Sequence, residues 1–372
     1  MARHARLLVG NTDRVPDLTY ATGLFVPDDF AWFQTPSGKT FALLGPLEID
    51  RARRTATVDC CLDLSSEEKR MGRSKPPYAR ILANVLIRHG IRSAQIPCTF
   101  PIGLAQSLKQ SGMKLQTVAE PFFPKRLQKS SLEIGHITQS LRAAEAGLAR
   151  AVEILQRAKI RRNHTLLWSG SALTSERLRT EMEITCLRHG ALARDTIVSG
   201  GHHACDPHER GSGTLRAHQA IILDIFPRNI KNGYFGDITR TLVKGRAPEP
   251  LRRLHHTVAL GQKKAVKQIR ARANGERIQS ELREWFHQRG YPTEIRKGRW
   301  SGFFHGVGHG LGLEIHEAPR FATPSLPLNS VLTVEPGLYV PGIGGVRIED
   351  VFLVQEGGSR KLTRFPDPWE IR

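Results

Sequence analysis

The chain has 372 residues, 40% of them hydrophobic, with a mean hydropathy of −0.33, which is enough for about two domains with sizeable cores. Lys and Arg outnumber Asp and Glu by 55 to 35, a net charge of +20. The cations recur along the whole chain without a tail or an aromatic-interleaved strip, so solvated faces account for them and nucleic acid is not expected as a partner. No apolar run approaches the roughly 20 residues of a membrane span, and Leu7-Leu8-Val9-Gly10 is too short for a signal-peptide core. Cys60, Cys61, Cys98, Cys186 and Cys205 show no C-x-x-C spacing, which excludes a zinc ribbon or disulfide framework and leaves a cytoplasmic protein as the expectation.

Residues 1–128 alternate strand-like and helical runs. Phe41-Ala-Leu-Leu44 is a short apolar strand, Tyr78 to His89 carries apolar residues at helical intervals up to Gly90, and Ser93 to Ile96 is extended before Pro97. No His, Asp or Glu cluster there suggests chemistry. From Lys129 to Ala158 the pattern becomes a long amphipathic helix, with Ile137, Leu141, Leu148 and Leu155 near one face, and a second domain is expected to begin with it. Thr174-Ser175-Glu176 opens another helix with a capping residue and an early acid, running towards Gly190. Ser175-Glu-Arg-Leu-Arg is echoed by Ser280-Glu-Leu-Arg, and the ending at Gly190 by one at Gly290, as two related halves would produce. Lys263, Lys264, Lys267 and Arg270 share helical spacing and read as a solvated face.

Ala220-Ile-Ile-Leu-Asp224-Ile-Phe226 is a buried strand interrupted by a carboxylate. A lone charge there costs several kcal/mol unless it is paired or bound to a cation. After the turn-rich stretch from Pro227 to Gly233, Tyr234-Phe-Gly-Asp237-Ile-Thr-Arg-Thr forms a second strand with an acid, and strand, turn, strand sets Asp224 and Asp237 opposite each other. Glycines at 306, 308, 310 and 312 each cost about 1 kcal/mol in a helix. His305 and His309 therefore come from extended or looped backbone, which excludes a helical H-E-x-x-H zinc site. Leu313-Glu314-Ile315-His316 alternates as a strand with Glu314 and His316 on one face. Val331-Leu-Thr-Val-Glu335 sets a glutamate at a strand end, and Gly345-Val-Arg347-Ile-Glu349-Asp embeds another in a strand. Salt bridges to Arg240 and Arg347 are the bland reading of these acids. Four carboxylates with His309 also suit two hard or borderline divalent ions such as Mn²⁺, Co²⁺ or Zn²⁺.

Taken in order, Asp224, Asp237-Ile-Thr-Arg-Thr, His305-Gly-Val-Gly-His309 through His316-Glu, Thr333-Val-Glu335-Pro-Gly-Leu-Tyr339 and Gly345-Val-Arg347-Ile-Glu349 resemble the motif set of the Xaa-Pro peptidases, M24 metallopeptidases that include aminopeptidase P and prolidase. Tyr20-Ala-Thr-Gly-Leu-Phe25 and Leu47-Glu-Ile-Asp-Arg-Ala-Arg53 are similar to signatures of a creatinase-type N-terminal domain. The resemblance implies an α/β (α+β) protein. A pita-bread catalytic domain with an internal pseudo-twofold would cover 129–372, preceded by a smaller creatinase-like α/β domain over 1–128.

The same resemblance implies two divalent ions, Mn²⁺ foremost and Co²⁺ or Zn²⁺ as alternatives, held by Asp224, Asp237, His309, Glu335 and Glu349. Asp237 and Glu349 would bridge them. Glu335 would also shuttle a proton to the leaving amine, His305 and His316 would line the proline-side pocket and bond to substrate, and His208 matches a further active-site histidine. Arg347 would orient carboxylates from behind. The interval from Asp224 to Asp237 and the segment Ile225-Phe-Pro-Arg-Asn229 depart from the family pattern, so a bulge is expected in that hairpin.

The implied reaction is removal of the residue before proline from a peptide N-terminus, as by aminopeptidase P, through attack by a hydroxide bridging the metals. Prolidase, which requires a dipeptide, is the alternative. From a different class, a catalytically inactive pita-bread module that binds protein or nucleic acid has no use for five metal-shaped positions. A proline-containing peptide as substrate and a homodimer or homotetramer complete the expectation.

Overall fold

The computed structural model describes residues 4–72 and 76–372. The chain divides into two compact units, Met1–Pro124 and Lys125–Arg372.

The first unit is built on a six-stranded mixed sheet. Strand Ala5–Gly10 runs antiparallel to Phe30–Gln34 and parallel to Ser93–Pro97. Side chains alternate across a strand, so Leu7 and Val9 enter one core while Leu8 enters the other with Leu18 and Trp32. Helix Tyr78–Arg88 covers the first core with Ile81, Leu82, Val85 and Leu86, each worth roughly 1.5–3 kcal/mol when buried. It stops before Gly90, whose φ of 76° takes the chain into the left-handed region that ends helices. Among the described residues this unit contains no group of His, Cys, Asp and Glu arranged to hold a metal.

The second unit consists of two similarly built halves. In the first, helices Ser131–Arg157 and Ser175–Arg188 pack on a sheet ordered Ile197–Gly200, Ile221–Ile225, Ile238–Lys244, Glu370–Ile371. In the second, helices Glu249–Val266 and Gly275–Gln288 accompany a sheet ordered Glu317–Arg320, His309–Gly310, Val331–Val334, Asp350–Gln355, Gly358–Lys361. The long first helix begins with a capping box, Ser130 and Glu133 each bonding the other's backbone N–H. Each leading helix carries a glycine where its partner crosses. A Cβ at Gly147 would meet Cys186 Sγ at 3.1 Å, and one at Gly261 would meet the Phe286 ring at 2.6 Å.

The serine echo occupies different places in the two halves. Ser175 is the first residue of its helix, whereas Ser280 lies inside Gly275–Gln288, which is capped by Asn274. The shared feature is the helix pair on a sheet.

Alternation along the first sheet aims the chemistry. Ile221, Leu223 and Ile225 pack under the long helix, and Ile222, on the opposite face, packs with the second half. Asp224 shares the face of Ile222 and so points at the space between the halves.

Candidate active site

The donors gather where strands end or break. Asp224 pairs with Thr239 and Ile225 with Ile238 in the ladder. Asp237 therefore precedes its strand and lies diagonal to Asp224, not opposite it. The ladder continues without a bulge, and the additional residues form the loop between Ile225 and Ile238. Glu335 directly follows strand Val331–Val334, and Glu349 occupies the break between Gly344–Arg347 and Asp350–Gln355, not a strand interior.

His309 arrives on a backbone pressed into its neighbours. A Cβ on Gly308 would collide with the Thr333 carbonyl and one on Gly310 with that of Ala318. The His309 N–H donates to Thr333 Oγ1 at 3.0 Å, and the Glu335 N–H donates to the Val307 carbonyl at 2.7 Å. Behind the site, the Gln262 side-chain amide donates to the carbonyls of Val334 at 3.1 Å and Ile348 at 3.3 Å, the residues immediately before Glu335 and Glu349.

His309 Nδ1 donates to the Gly310 carbonyl at 3.2 Å, which turns Nε2 towards the acids. That Nε2 is 3.3 Å from Glu335 Oε1 and 3.8 Å from Asp237 Oδ2. Ligating atoms of Asp237, His309 and Glu349 lie within 4.8 Å of one another. Glu349 accepts a hydrogen bond from Thr239 at 2.8 Å, and Asp224 Oδ2 accepts one from Arg347 at 2.7 Å. The nine side chains to which the resemblance assigns a site role all border one cavity of about 830 Å³.

The electrostatics fit residues that hold a cation. Burial, then the carboxylates of Glu349, Asp224 and Glu335, push Asp237 well above the usual carboxylate range. Glu349 is raised by burial, then by Glu335 and Asp224. For Glu335 burial acts upward, but His309, followed by His305 and Arg347, outweighs it and holds the group below the usual range. Of the four acids Arg347 bonds only Asp224, through Oδ2, and Asp224 Oδ1 is buried without a hydrogen-bond partner. An oxygen-rich set with one imidazole and unbalanced negative charge suits hard or borderline divalent ions.

The remaining residues surround this cluster. The ring of His316 stands edge-on to His309 with centroids 4.3 Å apart. Burial and His309 push it down to about 4, so it is neutral near pH 7. His208 lines the cavity from an exposed loop. His305 borders the cavity, and both its ring nitrogens have protein partners: Gly306 O at 2.8 Å from Nδ1 and the Tyr339 hydroxyl at 3.0 Å from Nε2. Arg347 donates to that hydroxyl at 2.9 Å, so Tyr339 passes its own proton towards His305. Burial keeps the His305 imidazole below its ordinary value.

Leu313–His316 is a bend, and the strand starts at Glu317. Glu314 and His316 consequently part: Glu314 reaches Arg126 at 2.7 Å while His316 borders the cavity. Glu317 is buried between Lys129 and Arg126, each 2.6 Å away. The sequence reading missed three contributors. Tyr339 was visible in the motif after Glu335 but had no role, Thr239 and Arg320 had no signal beyond their strands, and Arg320 borders the same cavity.

A cluster of acids and an imidazole in a cleft makes a candidate metal site, and comparison with known proteins gives the family. Residues 135–356 match metallopeptidase family M24. The chain is 30% identical over 283 residues to Xaa-Pro dipeptidase of Pyrococcus horikoshii, covering 74% of each. Among solved structures it is similar to X-Pro aminopeptidase of Thermotoga maritima, with a TM-score of 0.82 and 22% identity over 100% of this chain and 98% of that one. It is also similar to the prolidase of Pyrococcus horikoshii, with a TM-score of 0.79 and 25% identity over 98% and 95%. The chain belongs to the M24 metallopeptidases, and within them to the Xaa-Pro peptidases with the pita-bread fold. No helix among the described residues is long and apolar enough to cross a membrane.

Proposed function

We propose that this chain is an Xaa-Pro dipeptidase, which reverses the order in which the sequence motifs rank prolidase and aminopeptidase P. The observation that carries the reading is Arg320, an exposed cation bordering the cavity that holds the acids. A dipeptide places its C-terminal carboxylate one residue from the scissile bond, where a guanidinium binds it in bidentate fashion. In a longer peptide that position is a neutral amide. The dipeptidase relatives support the same direction. Aminopeptidase P activity is the second reading, favoured by the similarity to the Thermotoga structure.

In this reading Asp224, Asp237, His309, Glu335 and Glu349 hold two divalent ions, Mn²⁺ first. Such ions polarise a carbonyl and acidify water when bound. Glu335, kept ionised by its neighbours, accepts a proton from the attacking water and delivers it to the proline nitrogen as the C–N bond breaks. His316, neutral, hydrogen-bonds the substrate without adding charge, and His208 reaches in from its loop. Arg347 orients Asp224 and, through Tyr339, the ring of His305. The creatinase-like domain expected over 1–128 corresponds to the unit Met1–Pro124, and the protein works as a cytoplasmic homo-oligomer.

The test is hydrolysis of an Xaa-Pro dipeptide and an Xaa-Pro-Xaa tripeptide by the Mn²⁺-loaded protein, with a chelated sample beside each. Chelator-sensitive cleavage confined to the dipeptide supports the reading. Release of the first residue from the tripeptide moves the assignment to aminopeptidase P, and metal-bound protein inert on both sinks it.

A further inference from the structure

The cation run read from sequence as a solvated face is largely exposed and also borders a groove. The groove has a volume of about 1160 Å³ and lies along helices Glu249–Val266 and Gly275–Gln288. Lys263 and Lys264 come from the first helix, Lys267 and Arg270 follow its end, Arg277 comes from the second, and Arg289 follows the end of that one. Arg272 and Lys361 complete the set, so eight cations border the groove against two acids, Glu281 and Asp350.

Both acids are already matched. Glu281 accepts from Arg277 at 2.6 Å, and Asp350 pairs with Arg240 and Lys361 at 2.8 Å each. Arg272 pairs with Glu356 at 2.6 Å. Lys263, Lys267 and Arg270 are exposed and make no ion pair among the described residues. Like charges gathered this closely repel one another, and a polyanion relieves that repulsion. An aromatic ring stands beside them. Trp285, half-buried, borders both this groove and a smaller cavity of about 380 Å³, and the Arg289 guanidinium lies over its ring, 3.9 Å from the centroid.

We propose that this groove binds single-stranded nucleic acid, its cations taking the phosphates and Trp285 stacking on a base. A line of cations beside an aromatic platform is the combination that binds single strands without reading sequence. An acidic polypeptide would use the cations but has no need of the ring. The groove lies behind the strands that lead to Glu335 and Glu349, on the side of Gln262, so binding there leaves the peptidase cavity open.

The experiment is fluorescence anisotropy of the full chain with a labelled single-stranded oligonucleotide of mixed sequence, titrated across salt concentrations. Four neutralised phosphates predict a logarithmic salt slope of about −2.8, so affinity falls about 50-fold between 50 and 200 mM salt. The triple variant Lys263→Glu, Lys267→Glu, Arg270→Glu should lose at least tenfold in affinity while keeping Xaa-Pro dipeptide hydrolysis, which also reports that it is folded. Lys69→Glu, Lys109→Glu, Lys114→Glu makes the same change in net charge elsewhere and should bind nearly as well as the parent. If the reversal variant proves inactive, Gln at the same three positions is measured in its place.

No binding at 50 mM salt overturns the proposal. So does equal weakening by the two triple variants, which would mean diffuse attraction to net charge, and so does equal or tighter binding of polyglutamate, which would assign the groove to an acidic protein. Dipeptide hydrolysis is read separately, so its failure strikes the proposed activity and leaves this result standing.

Discussion

Arg347 holds Asp224 by one oxygen only: Oδ2 receives the guanidinium N–H at 2.7 Å, and Oδ1 is buried with no hydrogen-bond partner. Lysine keeps the charge at position 347 but loses the fork that serves Asp224 and Tyr339 together. Arg347→Lys should lower kcat/KM about 100-fold while circular dichroism stays native. Near-parent turnover would show that the fork is dispensable.

Glu335→Gln preserves shape and removes the proposed proton carrier. Loss of a positioned acid–base group costs about 10²–10⁴-fold, so kcat should fall into that range with the fold intact. In the same preparation, chelation of the parent should lower its Tm, since a ligand that binds only the folded chain stabilises it. A Tm indifferent to chelator would contradict the metal assignment of the five donors.

Arg320→Met addresses substrate length. KM for the Xaa-Pro dipeptide should rise about 10- to 100-fold with kcat little changed, as for loss of binding made equally in ground and transition states. Steady-state kinetics that show a pure kcat defect would place Arg320 elsewhere in the reaction.

Glu317 gives the pH dependence. Burial acts to raise this carboxyl, yet Lys129 and Arg126 outweigh it and hold the group below its ordinary value. Its folded-state pKa is therefore below the unfolded one, so the unfolded chain binds the proton more readily. The contribution to stability is present above about pH 4.3 and is lost as pH falls through the lower, folded value. Lys129→Met should cost about 3 kcal/mol at pH 7, and less to the extent that Arg126 still pairs, and should flatten the loss of stability below about pH 4. Urea unfolding at several pH values measures both effects, and an unchanged acid limb would exclude Glu317 as its source.

Much of the centre was legible because its residues violate the patterns around them. Asp224 interrupts an apolar strand and the glycines around His309 forbid a helix, so both announce themselves without a structure. What was misread depended on distant contacts. Leu313–His316 alternates like a strand, but the Glu314 side chain is drawn to Arg126 and its N–H to Glu317 Oε2 at 3.3 Å, which bends the backbone. No local pattern could reveal a partner at the other end of the unit. The offset of Asp237 from Asp224 was hidden likewise, because register is fixed by the ladder and the loop length beyond it is free. The groove cations were seen, but not that two helices would bring Arg277 and Arg289 to meet them.

The contact of Gly308 with the Thr333 carbonyl and of Gly310 with that of Ala318 divides the site by its tolerance of change. The floor under His309 is backbone against backbone, where the smallest added carbon displaces the strand leading to Glu335. The rim is made of side chains with room around them, among them Arg320, Arg210 and His208, all exposed. Engineering for a new peptide therefore has a natural address: the rim accepts new shapes and charges one substitution at a time, while the floor admits none without moving Glu335.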